Sequence, residues 1–203
     1  MFSSNLNLIG LIIFGYLLGT LPTGFLICKA KGINVQKIGS GATGGTNVSR
    51  ALGWGWGAFV GIVDVIKGLI PIYLAINLLV FDWQIVIAAI FPVLGHIFPV
   101  WLKFKGGKGI ATSFGVLFFL IGGKDILILI LIWFFFLGVF RTVSIASILM
   151  ASFIPLVTFF LTHSFSYYIL GIVLAVIIWW AHRENLVRIK EGREPKLHLK
   201  KTI

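Results

Sequence analysis

Hydrophobic residues fill this chain in long blocks that short polar segments separate. The block from Ile126 to Phe140 carries no charge and shows none of the apolar–polar alternation that a strand of a membrane barrel needs. Blocks of this kind predict membrane-spanning helices. Seven can be drawn, at residues 6–28, 53–80, 84–102, 109–123, 126–140, 143–161 and 166–181.

The composition supports the same class of protein. Of the 203 residues, 59% are hydrophobic and 11% are charged, which is more apolar material than a water-soluble domain of this size can bury. We therefore predict an all-α, polytopic helical bundle in a lipid bilayer. It should form a single domain over residues 1–203, with a mobile tail at 191–203.

The positions of the charges predict how the helices cross the membrane. The net charge is +11, and most basic residues lie at the ends of apolar segments. With seven spans and the N-terminus outside, fifteen of the 17 Lys and Arg residues fall on the inner side, Lys124 falls outside, and Lys67 lies within a span. Because basic loops stay on the cytoplasmic side, we expect the N-terminus out and the C-terminus in.

The fourth and fifth apolar segments are short for this arrangement. A hydrocarbon core of about 30 Å takes about 20 helical residues to cross. Either these segments extend into their flanks, or the fourth is a half-span that leads away from a loop, which would leave five spans. The charge distribution favours seven.

A polar stretch at residues 39–50 differs from this apolar background. Its small residues cannot build a core, but they offer exposed N–H groups, hydroxyls and freedom to adopt positive φ. Such turns bind anions, and a following helix N-terminus adds its positive end. A flexible loop is the alternative, although a second basic, glycine-rich loop on the same side of the membrane favours the anion site. The candidate residues here are Gly39, Ser40, Gly41, Gly44, Gly45, Thr46, Asn47 and Arg50.

Further polar residues are expected on the same side of the membrane. They lie at the end of the third span, in the basic loop that follows it, at the start of the sixth span and at the end of the last. The additional candidates are His96, Lys105, Lys108, Ser144, Ser147, His182 and Asn185. The alternatives are a hydrogen-bonded structural histidine at His96 and a solvated polar helix end at His182 and Asn185.

Asp64 and Lys67 lie one helical turn apart inside the second span. A lone charge at the bilayer centre costs about 2.5–3.5 kcal/mol on insertion scales. We expect the two residues to form an ion pair that locks the bundle, with direct contact to a substrate as the alternative.

Several functions are excluded by context. The spacing Gly39-x-Gly41-x-x-Gly44 matches a dinucleotide fingerprint, but no soluble strand precedes it. The basic residues do not form a groove with stacking aromatics, so nucleic acid is not an expected partner. No Cys/His cluster or nucleophile motif indicates a metal or a covalent intermediate. The residues therefore indicate a membrane protein that handles a phosphorylated, lipid-linked small molecule, by transport or by transformation.

Three ordered motifs carry a resemblance to a known family. They are Gly39-Ser40-Gly41 with Gly44-x-Thr46-Asn47-x-x-Arg50, then Gly95-His96-x-x-Pro99 with Phe104-Lys105-Gly106-Gly107-Lys108-Gly109, then His182-Arg183-x-Asn185. In this order and spacing they resemble the bacterial acyl-phosphate:glycerol-3-phosphate acyltransferase family, over the whole length of the chain.

The resemblance implies transfer of a fatty acyl group from acyl-phosphate to the 1-hydroxyl of glycerol 3-phosphate, which forms lysophosphatidic acid and releases phosphate. It implies no covalent enzyme intermediate, cofactor or metal. The expected location is the bacterial inner membrane, with the site near the cytoplasmic face and the soluble enzyme that makes acyl-phosphate as a candidate partner. The motifs assign catalysis to Ser40, Arg50, Lys108, His182 and Asn185, and substrate binding to the other candidates. A phosphate-ester or lipid transporter of the inner membrane is the alternative, although the chain shows no clear internal repeat.

Overall fold

The apolar segments form helices in a computed structural model, which describes the backbone of residues 2–197 and the side chains of residues 4–197. Ten α-helices occupy this range, with short 3₁₀ turns at Val35–Lys37 and Val100–Leu102. The helices are α1 (Phe2–Gly19), α2 (Thr23–Ala30), α3 (Gly45–Leu52), α4 (Trp54–Leu78), α5 (Asp82–Ile97), α6 (Ile110–Leu120), α7 (Ile126–Phe140), α8 (Val143–Thr162), α9 (Phe165–Ala181) and α10 (Arg183–Lys190).

Four helical segments in the described range are long and apolar enough to cross a membrane. They are Ser4–Ala30, Trp54–Leu78, Asp82–Leu102 and Val143–Thr162. The pair α9 and α10, bent by 55° at its junction, would make a fifth, whereas α6 and α7 are shorter apolar helices. The all-α membrane fold is confirmed with four or five spans by this measure, and the count of seven stays a prediction.

The helices pack in close pairs, with α1 on α5, α4 on α6, and α8 on both α7 and α9. Glycine makes the α4–α6 contact possible. A Cβ on Gly68 would overlap the carbonyl oxygen of Thr112, and one on Gly115 would overlap that of Val65. Small residues are what allow helix backbones to approach this closely in lipid.

A second, smaller core attaches the glycine-rich stretch to the bundle. Cys28, Val35, Val48 and Val60 are fully buried against one another, apart from the main apolar core. They belong to α2, the loop after it, α3 and α4 respectively. The stretch at 39–50 is therefore packed onto the bundle through α3, against the first turns of α4.

α5 ends at Ile97, two residues before Pro99. The last carbonyl groups of the helix accept from the basic loop, which folds back on the helix. Gly106 N–H donates to the Ile97 carbonyl at 3.1 Å, and Gly107 N–H to the His96 carbonyl at 3.0 Å. This return brings Lys108 to the bundle.

The chain after α10 turns at Gly192, where φ is 67°. It then runs back to the junction of α7 and α8, where Leu197 N–H donates to the Arg141 carbonyl at 2.7 Å. The mobility expected for 191–203 stays a prediction, and positions 198–203 lie outside the described residues.

Candidate active site

The glycine-rich stretch is folded around one buried amide, that of Asn47. Its Nδ2 donates to the carbonyls of Val35, Ile38 and Ala42 at 3.0, 2.9 and 2.9 Å, and its Oδ1 accepts from the Ser40 N–H at 3.2 Å. Since both ends of the amide are engaged, Asn47 fixes the shape of the loop. This leaves the Ser40 hydroxyl and the N–H groups at the start of α3 for a ligand.

The loop leads into the first turn of α3, where no side chain of the described residues acts as a cap. Gly39 and Gly41 make the preceding turn with φ of 53° and 71°, values that favour glycine. Gly44 is the N-cap of α3, and within the described residues no side chain hydrogen-bonds to the first N–H groups of this helix. Orphan N–H groups at a helix N-terminus attract anions, which they bind with the help of the helix dipole.

The two glycine-rich loops are joined to each other. Gln36 Nε2 donates to the Lys105 carbonyl at 3.0 Å, and Thr43 N–H donates to the Gly106 carbonyl at 3.3 Å. Gly107 packs against the ring of His96 so closely that a Cβ there would overlap Nε2. These contacts place the Lys108 side chain beside the first loop.

Lys108 lies deep in the site, where its Nζ donates to Asn185 Oδ1. Burial lowers the pKa of this ammonium to about 8. The carboxylate of Glu194 opposes that change, and the guanidinium groups of Arg188 and Arg50 reinforce it. Lys108 is thus an ammonium whose charge an incoming phosphate would stabilise.

His182, at the break between α9 and α10, is a neutral imidazole. Its Nδ1 lies 2.8 Å from the Ile178 carbonyl, so Nδ1 carries the proton and Nε2 is left as an acceptor. Burial, with the charge of Lys108 beside it, lowers the pKa of His182 to about 4. It can therefore accept a hydrogen bond from a substrate hydroxyl at neutral pH.

The expected ion pair between Asp64 and Lys67 is confirmed. Lys67 Nζ lies 2.7 Å from Asp64 Oδ1 and also donates to the Leu21 carbonyl at 2.5 Å, with both charged side chains 3% exposed. His96 Nδ1 is 3.6 Å from the same Asp64 oxygen. The pair fastens α4 to the turn after α1, and Asp64 and His96 also reach the cavity wall.

A single cavity of about 340 Å³ unites these elements. Its apolar walls include Ile110, Trp133 and Val143. Twelve of the fifteen residues that the sequence nominates line it: Ser40, Gly44, Gly45, Thr46, Asn47, Arg50, His96, Lys108, Ser144, Ser147, His182 and Asn185. Gly39 and Gly41 shape the turn without lining the cavity. Lys105 does not line it either: it is exposed, and its carbonyl accepts from Gln36 Nε2.

Comparison with known proteins gives this arrangement a family. A family model described as glycerol-3-phosphate acyltransferase matches residues 9–192. The chain is 42% identical over 196 residues to the glycerol-3-phosphate acyltransferase of Symbiobacterium thermophilum, covering 96% of both chains. It is 40% identical over 188 residues to that of Aquifex aeolicus, covering 91% of this chain and 96% of the other.

Solved structures agree with the sequence comparison. The fold is similar to the crystal structure of PlsY (YgiH), an integral membrane glycerol 3-phosphate acyltransferase, in its glycerol 3-phosphate form. The TM-score is 0.89 at 38% identity, over 94% of this chain and 96% of that one. For the lysophosphatidic acid form the TM-score is 0.85 at 37% identity, over 93% and 94%.

The chain belongs to the glycerol-3-phosphate acyltransferase family. The family expected from the three motifs is therefore confirmed, and with it an integral, multi-pass membrane enzyme. Which side of the membrane the acyltransferase site faces, and what each of its residues does, stay predictions.

Several residues that line the acyltransferase cavity escape the sequence argument, among them two tryptophans and one carboxylate. Trp54 and Trp133 line it, the latter with its Nε1 donating to Ser147 Oγ at 3.1 Å, and Glu194 reaches it from the tail. The tryptophans lie among many other aromatics, so nothing in the pattern distinguishes them. Glu194 is one of the few carboxylates that the sequence places on the side of the predicted phosphate site, and this is the only feature that could have drawn attention to it.

Proposed function

We propose that this cavity is the active site at which a fatty acyl group passes from acyl-phosphate to the 1-hydroxyl of glycerol 3-phosphate. The observation that carries the proposal is the composition of the wall. An uncapped helix start, two cations and a neutral histidine meet there beside an apolar surface. Such a wall suits two phosphate groups and one acyl chain. The structures of PlsY in glycerol 3-phosphate and lysophosphatidic acid forms support the same acceptor and product.

The donor phosphate is assigned to the first loop. The N–H groups at the start of α3 and the hydroxyl of Ser40 bind its oxygens, and Arg50, which lines the same wall, neutralises it. These donors do not have to reorganise as negative charge builds on the departing phosphate. The acyl chain then follows the apolar wall at Ile110 and Trp133.

The acceptor is assigned to the opposite group of side chains. Lys108 binds the phosphate of glycerol 3-phosphate, while Asn185, Ser144 and Ser147 supply hydrogen bonds that orient it. Ser144 is buried, and its Oγ has no well-formed hydrogen bond within the described structure. His182 Nε2 accepts from the glycerol hydroxyl and aims the oxygen at the acyl carbon.

The reaction needs one bond made and one broken. The 1-hydroxyl oxygen attacks the acyl carbonyl carbon, the bond from that carbon to the phosphate oxygen breaks, and inorganic phosphate leaves. The hydroxyl proton passes to the leaving phosphate or to His182. An acyl-phosphate is a reactive mixed anhydride, so positioning and charge neutralisation supply most of the catalysis.

The membrane arrangement is proposed on the charges. Seven spans with the N-terminus outside place fifteen basic residues inside, and a bacterial inner-membrane protein would then present the site near the cytoplasm. The five-residue break between α6 and α7 and their short lengths fit two crossings that tilt little and extend into their flanks. That location would let the soluble enzyme that makes acyl-phosphate deliver the donor.

The test is turnover by the purified protein. In detergent, with palmitoyl-phosphate and glycerol 3-phosphate and without added metal, the wild type should release phosphate and form lysophosphatidic acid. Ser40→Ala and Lys108→Ala should lose most of this activity. Lys103→Gln, which removes an exposed cation five residues away in the same loop, should retain it.

Two outcomes would contradict the proposal. Full activity in both Ser40→Ala and Lys108→Ala would mean that the reaction does not take place in this cavity. Uptake of glycerol 3-phosphate into liposomes without turnover of palmitoyl-phosphate would indicate a transporter instead.

A further inference from the structure

One carboxylate of the C-terminal segment lies inside a cavity otherwise suited to anions. Glu194 lines the cavity, and its side chain is only 6% exposed. The segment that carries it is held at both ends, by the turn at Gly192 and by the Leu197–Arg141 backbone hydrogen bond. Because a carboxylate repels phosphate, its burial here calls for a specific role.

The contacts of Glu194 form a chain that ends at the phosphate-binding lysine. Its Oε1 accepts from Asn185 Nδ2 at 2.6 Å, and its Oε2 accepts from Arg188 Nε at 2.8 Å. On its other side, the Asn185 amide accepts from Lys108 Nζ. The chain therefore runs from Lys108 through Asn185 to Glu194 and Arg188.

The groups on either side of Asn185 allow its side-chain amide only one orientation in this series of hydrogen bonds. An ammonium can only donate, and an ionised carboxylate can only accept. Asn185 must therefore turn its oxygen to Lys108 and its NH₂ to Glu194. Without the carboxylate, the NH₂ group would lose its acceptor and the amide would be free to rotate away from Lys108.

We propose that Glu194 is a positioning residue for the acyl transfer assigned to this cavity. By holding Asn185 in one orientation it fixes Lys108 where the phosphate of glycerol 3-phosphate binds. The C-terminal segment thus completes the acceptor half of the site. Arg188 balances the charge of Glu194, which keeps the carboxylate from repelling the substrate.

The charge of Glu194 also acts on Lys108 directly. The charged groups that bear on Lys108 are Glu194, Arg188, Arg50 and Glu184, with neutral His182 beside them. Of these, Glu194 is the one that most raises the pKa of Lys108. Burial works against ionisation of Glu194 itself, but the hydrogen bonds from Arg188 and Asn185 outweigh it and hold the pKa of this carboxyl below its usual value.

The experiment compares Glu194→Ala and Glu194→Gln with Glu191→Gln as the matched control. Glu191 belongs to the same segment and pairs with Arg193 at the surface, where its side chain is 43% exposed. We expect Glu194→Ala to raise KM for glycerol 3-phosphate about tenfold, the scale of a lost charge-assisted hydrogen bond. KM for palmitoyl-phosphate should change less than about twofold, because the donor half of the site is intact. Glu191→Gln should match the wild type.

The pH profile separates positioning from a purely structural role. Both Glu194 variants should move the alkaline fall of kcat/KM to lower pH, since the charge that helps keep Lys108 protonated is gone. Glu194→Gln keeps an acceptor oxygen, so its KM should lie between those of Glu194→Ala and the wild type. A structural role alone would lower thermal stability and the amount of active enzyme without moving the profile.

The role is overturned if both Glu194 variants keep the wild-type KM for glycerol 3-phosphate and the wild-type pH profile. It is also overturned if KM rises equally for both substrates. Because the role rests on the proposed function, Lys108→Ala and Asn185→Ala are assayed in parallel. If these two retain full activity, the site assignment itself fails; if they lose it while Glu194 variants are unchanged, only the role of Glu194 fails.

Discussion

The burial of Lys108 gives the enzyme a pH dependence that follows from the structure. Burial lowers its pKa to about 8, against about 10.4 for an unperturbed lysine. In the proposed site the ammonium is the form that binds phosphate, and its fraction in the free enzyme falls about tenfold for each pH unit above that pKa. We therefore expect kcat/KM for glycerol 3-phosphate to fall with unit slope above about pH 8.

Bound substrate should move this transition upwards. A phosphate dianion beside the ammonium stabilises its charged form, so the pKa of Lys108 rises in the complex. Since kcat reports the complex and kcat/KM reports the free enzyme, the fall of kcat should lie at higher pH than that of kcat/KM. A titrating group remote from the phosphate would move both profiles together.

The assay varies glycerol 3-phosphate at saturating palmitoyl-phosphate and constant ionic strength. The range runs from about pH 7, where glycerol 3-phosphate is already mostly a dianion, up to about pH 10, with uncatalysed hydrolysis of the donor subtracted. Lys108→Arg is the decisive variant. Its guanidinium stays charged over this whole pH range, so the alkaline fall should disappear. The rate itself can be lower, because the guanidinium does not reproduce the hydrogen bond of the Lys108 ammonium to Asn185. A wild-type profile flat through the range, or a fall that persists unchanged in Lys108→Arg, would refute the assignment.

Three further substitutions test other parts of the site. His182→Ala should raise KM for glycerol 3-phosphate and keep most of kcat, whereas a fall of kcat of about 100-fold or more at unchanged KM would make His182 the base. Gly107→Ala should lower both activity and melting temperature, because the added methyl overlaps the ring of His96; wild-type values for both would contradict that packing. Lys67→Met should destabilise the protein by about 3–5 kcal/mol by leaving Asp64 buried without its partner. Adding Asp64→Asn should recover melting temperature, and no recovery would mean that the pair is not the cause.

The sequence predicts the gathering of the site better than the direction of its side chains. Ser40, Lys108 and Asn185 all lie in motifs at the ends of apolar segments. Because consecutive spans run in opposite directions, alternate ends of the spans lie on the same side of the membrane, and the motif positions therefore predict that these residues meet. Lys105 illustrates the limit. It belongs to the same loop as Lys108, but the two glycines between them hydrogen-bond back to the end of α5, and only Lys108 lines the cavity.

The type of a residue also predicts which hydrogen bonds its side chain can form, but not whether a substrate or the protein itself will form them. The motifs assign Asn47 to substrate binding. In the fold its side-chain amide is occupied by three backbone carbonyls and the Ser40 N–H. Glu194 is the opposite case: the charged tail shows no hydrophobic period that would predict packing, and its contacts with Asn185 and Arg188 arise only once α10 is formed.

The charges of the finished cavity bear on the fate of the hydroxyl proton. Of the charged residues that line it, Asp64 is paired with Lys67, and Glu194 with Arg188 and Asn185. Arg50 and Lys108 are then the cations that remain for two substrate phosphates, each carrying up to about two negative charges near neutral pH. This incomplete neutralisation raises the basicity of both phosphates, because each dianion disfavours the charge of the other. Without substrate the pKa of His182 is lowered to about 4, below the value of about 6 for a phosphate monoanion, and the negative charges then raise the basicity of both groups. The leaving phosphate is therefore better suited to take the proton as its bond to the acyl carbon breaks, and the release of phosphate then relieves the repulsion that made it basic.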